Sequence, residues 1–498
     1  MEKKEKFFWA DQIADQIIKE NKGKGIFVCA SGIGVSGTLH IGNFRDAITT
    51  DLVVKALENK KKKVKFIYSW DDYDRFRKVP ANIPETYKKY LGMPVSEVPA
   101  PSGKGKYAEY FEKQFEKSLK KVGVSPKFTS QSKMYKNCKY ASLIKLAIDK
   151  RKEIMEILNK YRKEPLKENW YPIMIYCEKC KKDFTKILNV NGYEIEYECS
   201  CGFKNKFDYR KKGILKLVWR VDWPMRWFYE KLDFEPGGAD LGAAGGSMMT
   251  SDEIVKKIFK YDAPLHTYYE FIRLKGVGNK ISGSTGNALT IDDVLEIYEP
   301  EILRYLFVGT KPKTNFNISF DNDVIKIYEE YDSLERKYYN KEANPQEKRI
   351  YELSKIKITK NKPKKTSFRH LITLIQIGKV KSLDNESKKR SEKVKNWLDK
   401  YASNDMKFEI QEKVDVKLTE KEKQVLIALK ESLAVKDFNE DELFNEFYNL
   451  SKGFGMKTKE FFEISYRVLI NKSKGPRLAS LILAVGKEKI IKLLEQIK

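Results

Sequence analysis

The sequence predicts an α/β domain built on a parallel sheet, interrupted by a cysteine-bearing insertion and followed by an all-α domain. The first observation is that short apolar runs alternate with helical patterns in the first part of the chain. The second is a group of four cysteines at short spacings, between Cys177 and Cys201. The third is that glycine becomes rare after about Asn315, where lysine-rich helical patterns follow one another. Together these features predict two large domains and one smaller inserted module.

Length and charge restrict the class of protein. A chain of 498 residues is too long for a single core. The formal net charge of +27 indicates a polyanionic partner, although a generally lysine-rich composition is an alternative explanation. The sequence has neither an apolar stretch of membrane-spanning length nor a signal-peptide pattern. We therefore expect a cytoplasmic protein without a membrane partner.

The first alternation predicts a right-handed βαβ unit. Gly25–Ala30 is an apolar run typical of a buried strand, a helix follows to about Glu58, and Val64–Trp70 is the second strand. The connecting turn is Ser31-Gly-Ile-Gly-Val-Ser-Gly-Thr-Leu-His-Ile-Gly-Asn43, and we expect the helix to begin at about Thr38. A glycine-rich turn before a helix N-terminus is a typical anion site, because backbone N–H groups and the helix dipole converge there.

Five residues of this turn are candidate nucleotide-binding groups. Gly32, Gly34 and Gly37 allow the backbone to approach a phosphate or ribose closely. His40 can donate a hydrogen bond to a phosphate oxygen, and Asn43 is a neutral donor on the same helix face. An ordinary strand–helix turn with a capping histidine is the alternative interpretation.

A second segment, Lys280-Ile-Ser-Gly-Ser284, lies between two glycine-containing stretches. A lysine on such a loop can neutralise a triphosphate while the α-phosphorus is attacked. A solvated turn is the alternative. The two segments together predict an enzyme that activates its substrate with a nucleotide.

The chain between the two segments changes character twice. From Glu97 to about Arg210 charged helices and a cysteine-bearing hairpin indicate an insertion. Ile214–Val221 is predicted to be a strand that returns to the sheet, and Thr267–Leu274 leads to the Lys280 loop.

The C-terminal part is predicted to be helical throughout. Its helices include Thr419–Lys436 and Phe461–Ile470. Lys360–Thr366 and Lys381–Arg390 are predicted to be solvated connectors.

The cysteines Cys177, Cys180, Cys199 and Cys201 form two close pairs separated by a predicted hairpin. Two such pairs can supply a tetrahedral thiolate site for one structural Zn²⁺. Free buried thiols are the alternative.

The motifs resemble those of a known enzyme family. His40-Ile-Gly-Asn43 and the Lys280 segment resemble the HIGH and KMSKS signatures of class I aminoacyl-tRNA synthetases. Further blocks resemble the archaeal-type class I lysyl-tRNA synthetases. These blocks are Ser69–Asp74, Arg77–Pro84, Val221–Trp227, Asp233–Pro236, Ala244–Ser247 and Gly475–Ser480.

The resemblance implies a domain arrangement. A Rossmann-like catalytic domain would occupy residues 1–96 and 213–315, and a connective insertion residues 97–212, with the zinc module at about 170–210. An α-helical anticodon-binding domain would occupy residues 316–498.

The resemblance also implies an activity and a set of site residues. L-lysine would be activated with ATP, as its Mg²⁺ complex, and transferred to tRNA(Lys) by a monomer. The implied catalytic residues are His40, Asn43 and Lys280. The implied ATP-binding residues are Gly32, Gly34, Gly37, His40, Asn43, Lys280, Ser282 and Ser284. The implied lysine-binding residues are Trp219, Asp240, Leu241, Tyr268, Tyr269 and Glu270.

Some of these residues have alternative roles. The aromatic residues of the lysine pocket could instead belong to the core. Asp71, Asp72 and Asp74 follow the second strand, where such sheets bind ligands, but they could equally cap a helix.

The chain departs from the family at Leu241, where relatives carry a histidine, and after Val98, where the ligands of a second metal are missing. We therefore expect one zinc ion. A glutamyl-tRNA synthetase and a non-catalytic tRNA-binding paralogue are the alternative functions, and Leu241 is the sole support for the second.

Overall fold

The computed structural model describes residues 8–243, 245–275 and 289–497, which divide into two compact units. The first unit contains the described residues up to Leu295, together with Pro300–Ile318 and Ala343–Ile358. The second contains Glu296–Glu299, Ser319–Glu342 and the described residues from Thr359 onward. Lys280, Ser282 and Ser284 lie outside the described residues. No helix in the described ranges is long and apolar enough to cross a membrane.

Helices and strands alternate along most of the first unit, whereas the described part of the second unit contains helices and no strand. The elements before residue 172 are α1 (Trp9–Glu20), β1 (Ile26–Ile33), α2 (Ile41–Asn59), β2 (Lys63–Trp70), α3 (Tyr107–Lys121), β3 (Lys127–Ser130), α4 (Gln131–Lys136), α5 (Ala141–Asp149) and α6 (Arg151–Asn159). The next are β4 (Ile173–Ile175), β5 (Thr185–Asn191), β6 (Glu194–Cys199), β7 (Lys204–Asp208), β8 (Leu215–Leu217), α7 (Trp219–Glu230), β9 (Phe234–Gly238), α8 (Ser247–Lys257), β10 (Leu265–Tyr269), β11 (Ile272–Leu274), α9 (Ile291–Leu295), α10 (Pro300–Val308) and β12 (Phe316–Ile318). The last are α11 (Asp323–Tyr339), α12 (Pro345–Ser354), α13 (Phe368–Gln376), α14 (Asn385–Lys400), α15 (Glu420–Val435), α16 (Glu440–Gly453), α17 (Thr458–Ile470), α18 (Leu478–Val485) and α19 (Lys487–Leu494).

The first unit is built on a five-stranded parallel sheet in the order β10-β9-β1-β2-β3. The predicted strands at Gly25–Ala30 and Val64–Trp70 are confirmed as β1 and β2. From β1 the chain adds β2 and β3 on one side and later β9 and β10 on the other. Such a reversal of strand order opens a crevice at the carboxyl ends of the strands on either side of it. The parallel α/β class predicted from the sequence is therefore correct.

The predicted helix after β1 is present, but its predicted start at Thr38 is wrong. Helix α2 begins at Ile41 because His40 has an extended backbone, with φ −117° and ψ 172°, and is the N-cap. The helix is buried on nearly all sides. Its charged residues Arg45 and Asp46 are therefore enclosed by protein.

The segment predicted as an insertion contributes to the main sheet as well. Strand β3 lies within it and pairs with β2 at the edge of the five strands. The later part supplies β4, which pairs in a small antiparallel sheet with β8 just after the segment, and it forms a second small antiparallel sheet, β5-β6-β7. The cysteine-bearing hairpin predicted in this segment belongs to the second of these sheets.

The prediction of a strand over Ile214–Val221 is wrong in two respects. The strand ends at Leu217 and pairs with β4, so that β9 rather than this segment rejoins the main sheet. Val218 is the N-cap of α7, whose indole rings at Trp219 and Trp223 stack one helical turn apart. The segment Thr267–Leu274, which leads to the Lys280 loop, is divided between β10 in the main sheet and β11, which pairs with β12.

The second unit is all-α within the described residues, as predicted, and α15 and α17 confirm the predicted helices there. Lys381–Arg390 is not a solvated connector throughout, because α14 begins at Asn385. The Arg390 guanidinium is fully buried and forms ion pairs of 2.7 Å with Glu299 and with Asp332. The highly charged segment Lys381–Arg390 therefore contains one residue of the core, Arg390.

Candidate active site and cysteine cluster

A cavity of about 680 Å³ lies in the first unit, lined by the turn after β1, the segment after β2, α7 and β9. These elements meet at the switch in strand order, which is the usual ligand position in an open parallel sheet. The glycine turn predicted to bind nucleotide contributes Gly32 and Gly34 to the lining. A Cβ atom at Gly32 would lie 2.6 Å from the Ser69 carbonyl oxygen, so the close approach of β1 and β2 requires glycine.

His40 and Asn43 form the N-terminal cap of α2. The His40 Nδ1 atom accepts the Gly42 N–H at 3.0 Å, and Asn43 Oδ1 accepts the His40 N–H at 2.9 Å. A neutral imidazole that accepts at Nδ1 carries its proton on Nε2. The cap therefore fixes the tautomer in which Nε2 is a donor. The structure thus supports the capping alternative, and this tautomer also suits the proposed role at a phosphate.

Carboxylates make part of the cavity wall acidic. Asp46 accepts the Gly32 N–H at 3.2 Å, and Glu235 accepts the indole N–H groups of Trp223, at 3.0 Å, and of Trp227. Burial raises the pKa of Asp46 well above its ordinary value, and the nearby Glu235 raises it further. Burial also raises the pKa of Glu235. Carboxylates whose pKa values are raised in this way are stabilised by a cationic ligand.

Arg226 is the main cation beside these carboxylates. Its Nη1 atom donates to Ser69 Oγ at 2.7 Å and lies 2.9 Å from Asp71 Oδ1. Burial raises the pKa of Asp71 to about 6, although Arg226 opposes the shift. Burial by itself lowers the pKa of Arg226, but Asp71 and Asp222 hold it above the ordinary value. Arg226 is therefore a permanent charge, whereas the pKa of Asp71 is raised to about 6.

Aromatic rings form another part of the wall. The rings of Trp219 and Trp223 are stacked with centroids 4.9 Å apart, and the Arg226 guanidinium carbon lies 5.6 Å from the centroid of the Trp219 ring. Aromatic faces of this kind pack well against aliphatic chains and attract cations.

The structure separates the predicted lysine-binding residues into two groups. Trp219, Leu241 and Tyr269 line the cavity. The other three are absent from the lining as far as the described residues define it. Asp240 lies beside Gly238, where a Cβ would be 2.6 Å from its Oδ1. The ring of Tyr268 lies against Gly242. The backbone N–H of Glu270 donates to the Pro312 carbonyl.

The three aspartates after β2 have different roles. Asp71 and Asp74 line the cavity. Asp72 instead accepts the Ser132 N–H at 2.7 Å and the Ser130 hydroxyl at 2.6 Å. Asp71 and Asp74 therefore face the cavity, whereas Asp72 stabilises the start of α4.

Asp46, Arg226 and Glu235 are among the lining residues that were not singled out from the sequence. Asp46 is a charged residue in a helix that is otherwise almost wholly buried. Glu235 lies in β9 between buried apolar residues. A charge between apolar neighbours was the available signal for Glu235, whereas helix α2 carries several charges and gave no such signal for Asp46.

The four cysteines predicted to bind metal come together. Their sulfur atoms all lie within 4.8 Å of one another, with Cys177–Cys201 at 3.7 Å and Cys180–Cys199 at 3.6 Å. Zinc–thiolate bonds of about 2.3 Å in a tetrahedron place the sulfur atoms about 3.8 Å apart. The cluster therefore fits one zinc ion.

Comparisons with known proteins identify the family of the chain. The family model described as "tRNA synthetases class I (K)" matches residues 7–357, and the model described as "Anticodon binding domain" matches residues 377–498. A lysine–tRNA ligase of Borrelia garinii subsp. bavariensis is 45% identical, covering 98% of this chain and 99% of the relative. Lysine–tRNA ligases of Treponema pallidum and Pyrococcus horikoshii are each 39% identical, covering 98% of this chain and 98% and 99% of the relatives, respectively. The chain belongs to the class I (K), or lysyl, family of tRNA synthetases.

Proposed function

We propose that this enzyme activates L-lysine with ATP in the cavity at the carboxyl ends of β1, β2 and β9 and then transfers the lysyl group to tRNA(Lys). The observation that carries the assignment to this cavity is its set of buried carboxylates, Asp46, Asp71 and Glu235. Lysine brings two ammonium groups, which these carboxylates would neutralise.

Within the cavity we assign the ε-ammonium group to Asp46 and Glu235 and the aliphatic stem to the ring of Trp219. Burial raises the pKa of both acids although Arg226 lies near Glu235, so an ammonium group bound beside them would interact more strongly than in water. A glutamate side chain would instead bring a further negative charge to the same wall. The acidic lining therefore disfavours the glutamyl alternative.

We assign ATP to the glycine turn, with His40 Nε2 and Asn43 as donors to its phosphates. Lys280, Ser282 and Ser284 would contribute from the second motif. Mg²⁺ accompanies ATP as part of the substrate complex. The lysine carboxylate attacks the α-phosphorus in line and pyrophosphate leaves. A ribose hydroxyl at the tRNA 3′ end then attacks the lysyl carbonyl and AMP leaves. Positioning and charge stabilisation suffice for both steps.

The remaining assignments concern zinc, tRNA, location and assembly. Cys177, Cys180, Cys199 and Cys201 would hold one structural zinc ion, which fixes the fold of its module. The helical unit matched by the anticodon-binding family would bind the anticodon of tRNA(Lys). We expect a cytoplasmic monomer.

The site assignment is tested by lysine-dependent ATP–pyrophosphate exchange, measured with and without tRNA. Asp46→Asn should raise the KM for lysine at least tenfold and leave the KM for ATP within twofold. Asp240→Asn is the matched control and should leave both constants unchanged. A reversed pattern would assign the ammonium group to Asp240. A wild-type enzyme without lysine-dependent exchange would contradict the proposed activity.

A further inference from the structure

Three cationic side chains follow β2 and line the same cavity as the carboxylates: Arg75, Arg77 and Lys78. A cavity with both an acidic wall and a cluster of cations suits substrates of both charges. Lysine is the cationic substrate, and the polyphosphate of ATP is the anionic one. Arginine in particular binds phosphate oxygens through paired N–H donors.

Arg75 is held from outside the main sheet, by the residues that follow Cys180. Its Nε atom lies 3.3 Å from Asp183 Oδ2, and its guanidinium carbon lies 5.8 Å from the centroid of the Phe184 ring. The Asp183 side chain is 4% exposed, whereas that of Arg75 is 36% exposed. An arginine whose Nε side forms an ion pair with a buried carboxylate can direct its terminal N–H groups to a second anion.

Both pairs of cysteines are connected to the backbone around Asp183. Near the first pair, the Cys177 N–H donates to the Lys182 carbonyl at 2.9 Å. In the second pair, Ser200, which lies between Cys199 and Cys201, donates its N–H to the Phe184 carbonyl at 2.9 Å. The backbone on either side of Asp183 is therefore tied to the metal-binding loops.

A second connection joins the anchor to the segment that carries Arg75. The Asp183 N–H donates to the Gly92 carbonyl at 2.9 Å, and the Gly92 N–H donates to the Phe76 carbonyl at 3.0 Å. Gly92 has φ +89°, and a Cβ there would lie 2.9 Å from the Phe184 ring, so this contact requires glycine. The cysteine module thus contacts Arg75 through a side chain and its neighbour Phe76 through the backbone.

We propose that Arg75 binds the polyphosphate of ATP and that the four-cysteine module is the positioning element that holds it there through Asp183. This inference rests on the proposed function, because it takes ATP as the ligand of the cavity. It gives the cysteine module an effect on ATP binding in addition to holding its own fold. The phosphates of the tRNA 3′ end are the competing ligand, and the experiment separates the two.

The test compares Arg75→Gln and Asp183→Asn with Asp208→Asn, each assayed as the full-length protein. Asp208 is the matched control, because it lies in the same module and pairs with Arg210 at 2.6 Å. We measure zinc content, the Kd for ATP by calorimetry, and the Kd for lysine. Arg75→Gln and Asp183→Asn should retain zinc, raise the Kd for ATP at least fivefold and leave the Kd for lysine within twofold. Asp208→Asn should resemble the wild type.

A double-variant cycle examines the link to the cysteine cluster. Cys201→Ser should lower zinc content and raise the Kd for ATP. Adding Arg75→Gln to Cys201→Ser should raise the Kd for ATP little further, since both changes remove the same interaction. If the two changes instead weaken ATP binding by factors that multiply in the double variant, the positioning role is contradicted.

Two outcomes would overturn the proposal. One is an unchanged Kd for ATP in Arg75→Gln, and the other is a defect confined to transfer of lysine to tRNA, which would assign Arg75 to the tRNA. Failure of the proposed function is distinguishable, because the wild type would then lack lysine-dependent exchange while Arg75→Gln could still weaken ATP binding.

Discussion

The imidazole of His40 caps helix α2 by accepting the backbone N–H of Gly42, with an Nδ1–N distance of 3.0 Å. The residue that the sequence assigns to catalysis therefore also stabilises the helix N-terminus. The two roles use different atoms of the ring, since the cap uses Nδ1 and the proposed phosphate contact uses Nε2. A substitution that preserves one atom and removes the other can separate them.

His40→Asn should separate the cap from the phosphate donor. Asparagine is a good N-cap, so the melting temperature should stay within about 2 °C of the wild type. The kcat of pyrophosphate exchange should fall by about 10²–10³, because a donor to the transition state is lost. His40→Ala should lose activity and also about 1 kcal/mol of stability. Wild-type exchange in His40→Asn would show that the residue is a cap alone.

Lysine binding should depend on pH near 6. Burial raises the pKa of Asp71 to about 6, and the ammonium groups of bound lysine favour its ionised form. Affinity should therefore rise as the pH rises through about 6, and binding should release protons there. Calorimetry at pH 6 in two buffers of different ionisation enthalpy measures this release. The involvement of Asp71 would be contradicted if lysine binding released no protons and the affinity for lysine were the same at pH 5.5 and pH 7.5.

The raised pKa of Asp71 should also make the stability of the fold depend on pH. The pKa of Asp71 is higher in the folded chain than the ordinary value of 3.8, so the folded state binds the proton more tightly. The contribution of Asp71 to the free energy of unfolding should therefore decrease as the pH rises from about 4 to about 6. Asp71→Asn should remove this dependence in urea titrations across that range.

Arg304 should be a large contributor to the stability of the first unit. Its guanidinium is fully buried, pairs with Asp51 at 2.8 Å, and donates to the Leu353 and Val122 carbonyls. Arg304→Met leaves these acceptors without their donor and should cost about 3–5 kcal/mol in urea unfolding. Arg349→Met, which removes a less buried pair with Asp11, should cost about 1 kcal/mol or less. Equal losses in the two variants would show that burial does not distinguish the two pairs.

The cysteine cluster should bind one tetrahedral divalent metal. Protein exchanged into Co²⁺ should show the intense visible absorption of tetrahedral cobalt thiolate, with one equivalent bound per chain. Cys201→Ser should weaken this signal, whereas Cys138→Ser, a cysteine outside the cluster, should not. A cobalt spectrum of octahedral type would be inconsistent with the four-sulfur site.

Much of the fold could be predicted because the elements that carry it are local. The glycine turn and the two apolar runs beside it specify β1 and β2 by hydrophobicity and turn chemistry. The errors occur where tertiary contacts decide. Ile214–Val221 is apolar enough for a strand, but its C-terminal half joins a helix whose indole rings stack. Lys381–Arg390 looks solvated, yet Arg390 finds two carboxylates in the core.

The site divides in the same way. Glycines and cysteines at fixed spacings can be recognised in the sequence alone, so the close turn at Gly32 and Gly34 and the convergence of the four cysteines were predicted. Asp46, Arg226 and Glu235 come from three separate elements. Their convergence depends on strand order, which a single sequence does not reveal.

The origin of strand β3 limits how the protein can be shortened. Because β3 comes from within the segment between the two halves of the sheet, excision of that whole segment would expose the edge of β2. A reduced catalytic fragment would have to retain the chain through α4 and begin its deletion after Lys136. Even then the carbonyl of Tyr73, which accepts the Tyr176 hydroxyl at 2.7 Å, would need a replacement partner. The intervening segment thus contributes a strand to the main sheet and cannot be removed as a whole without disrupting that sheet.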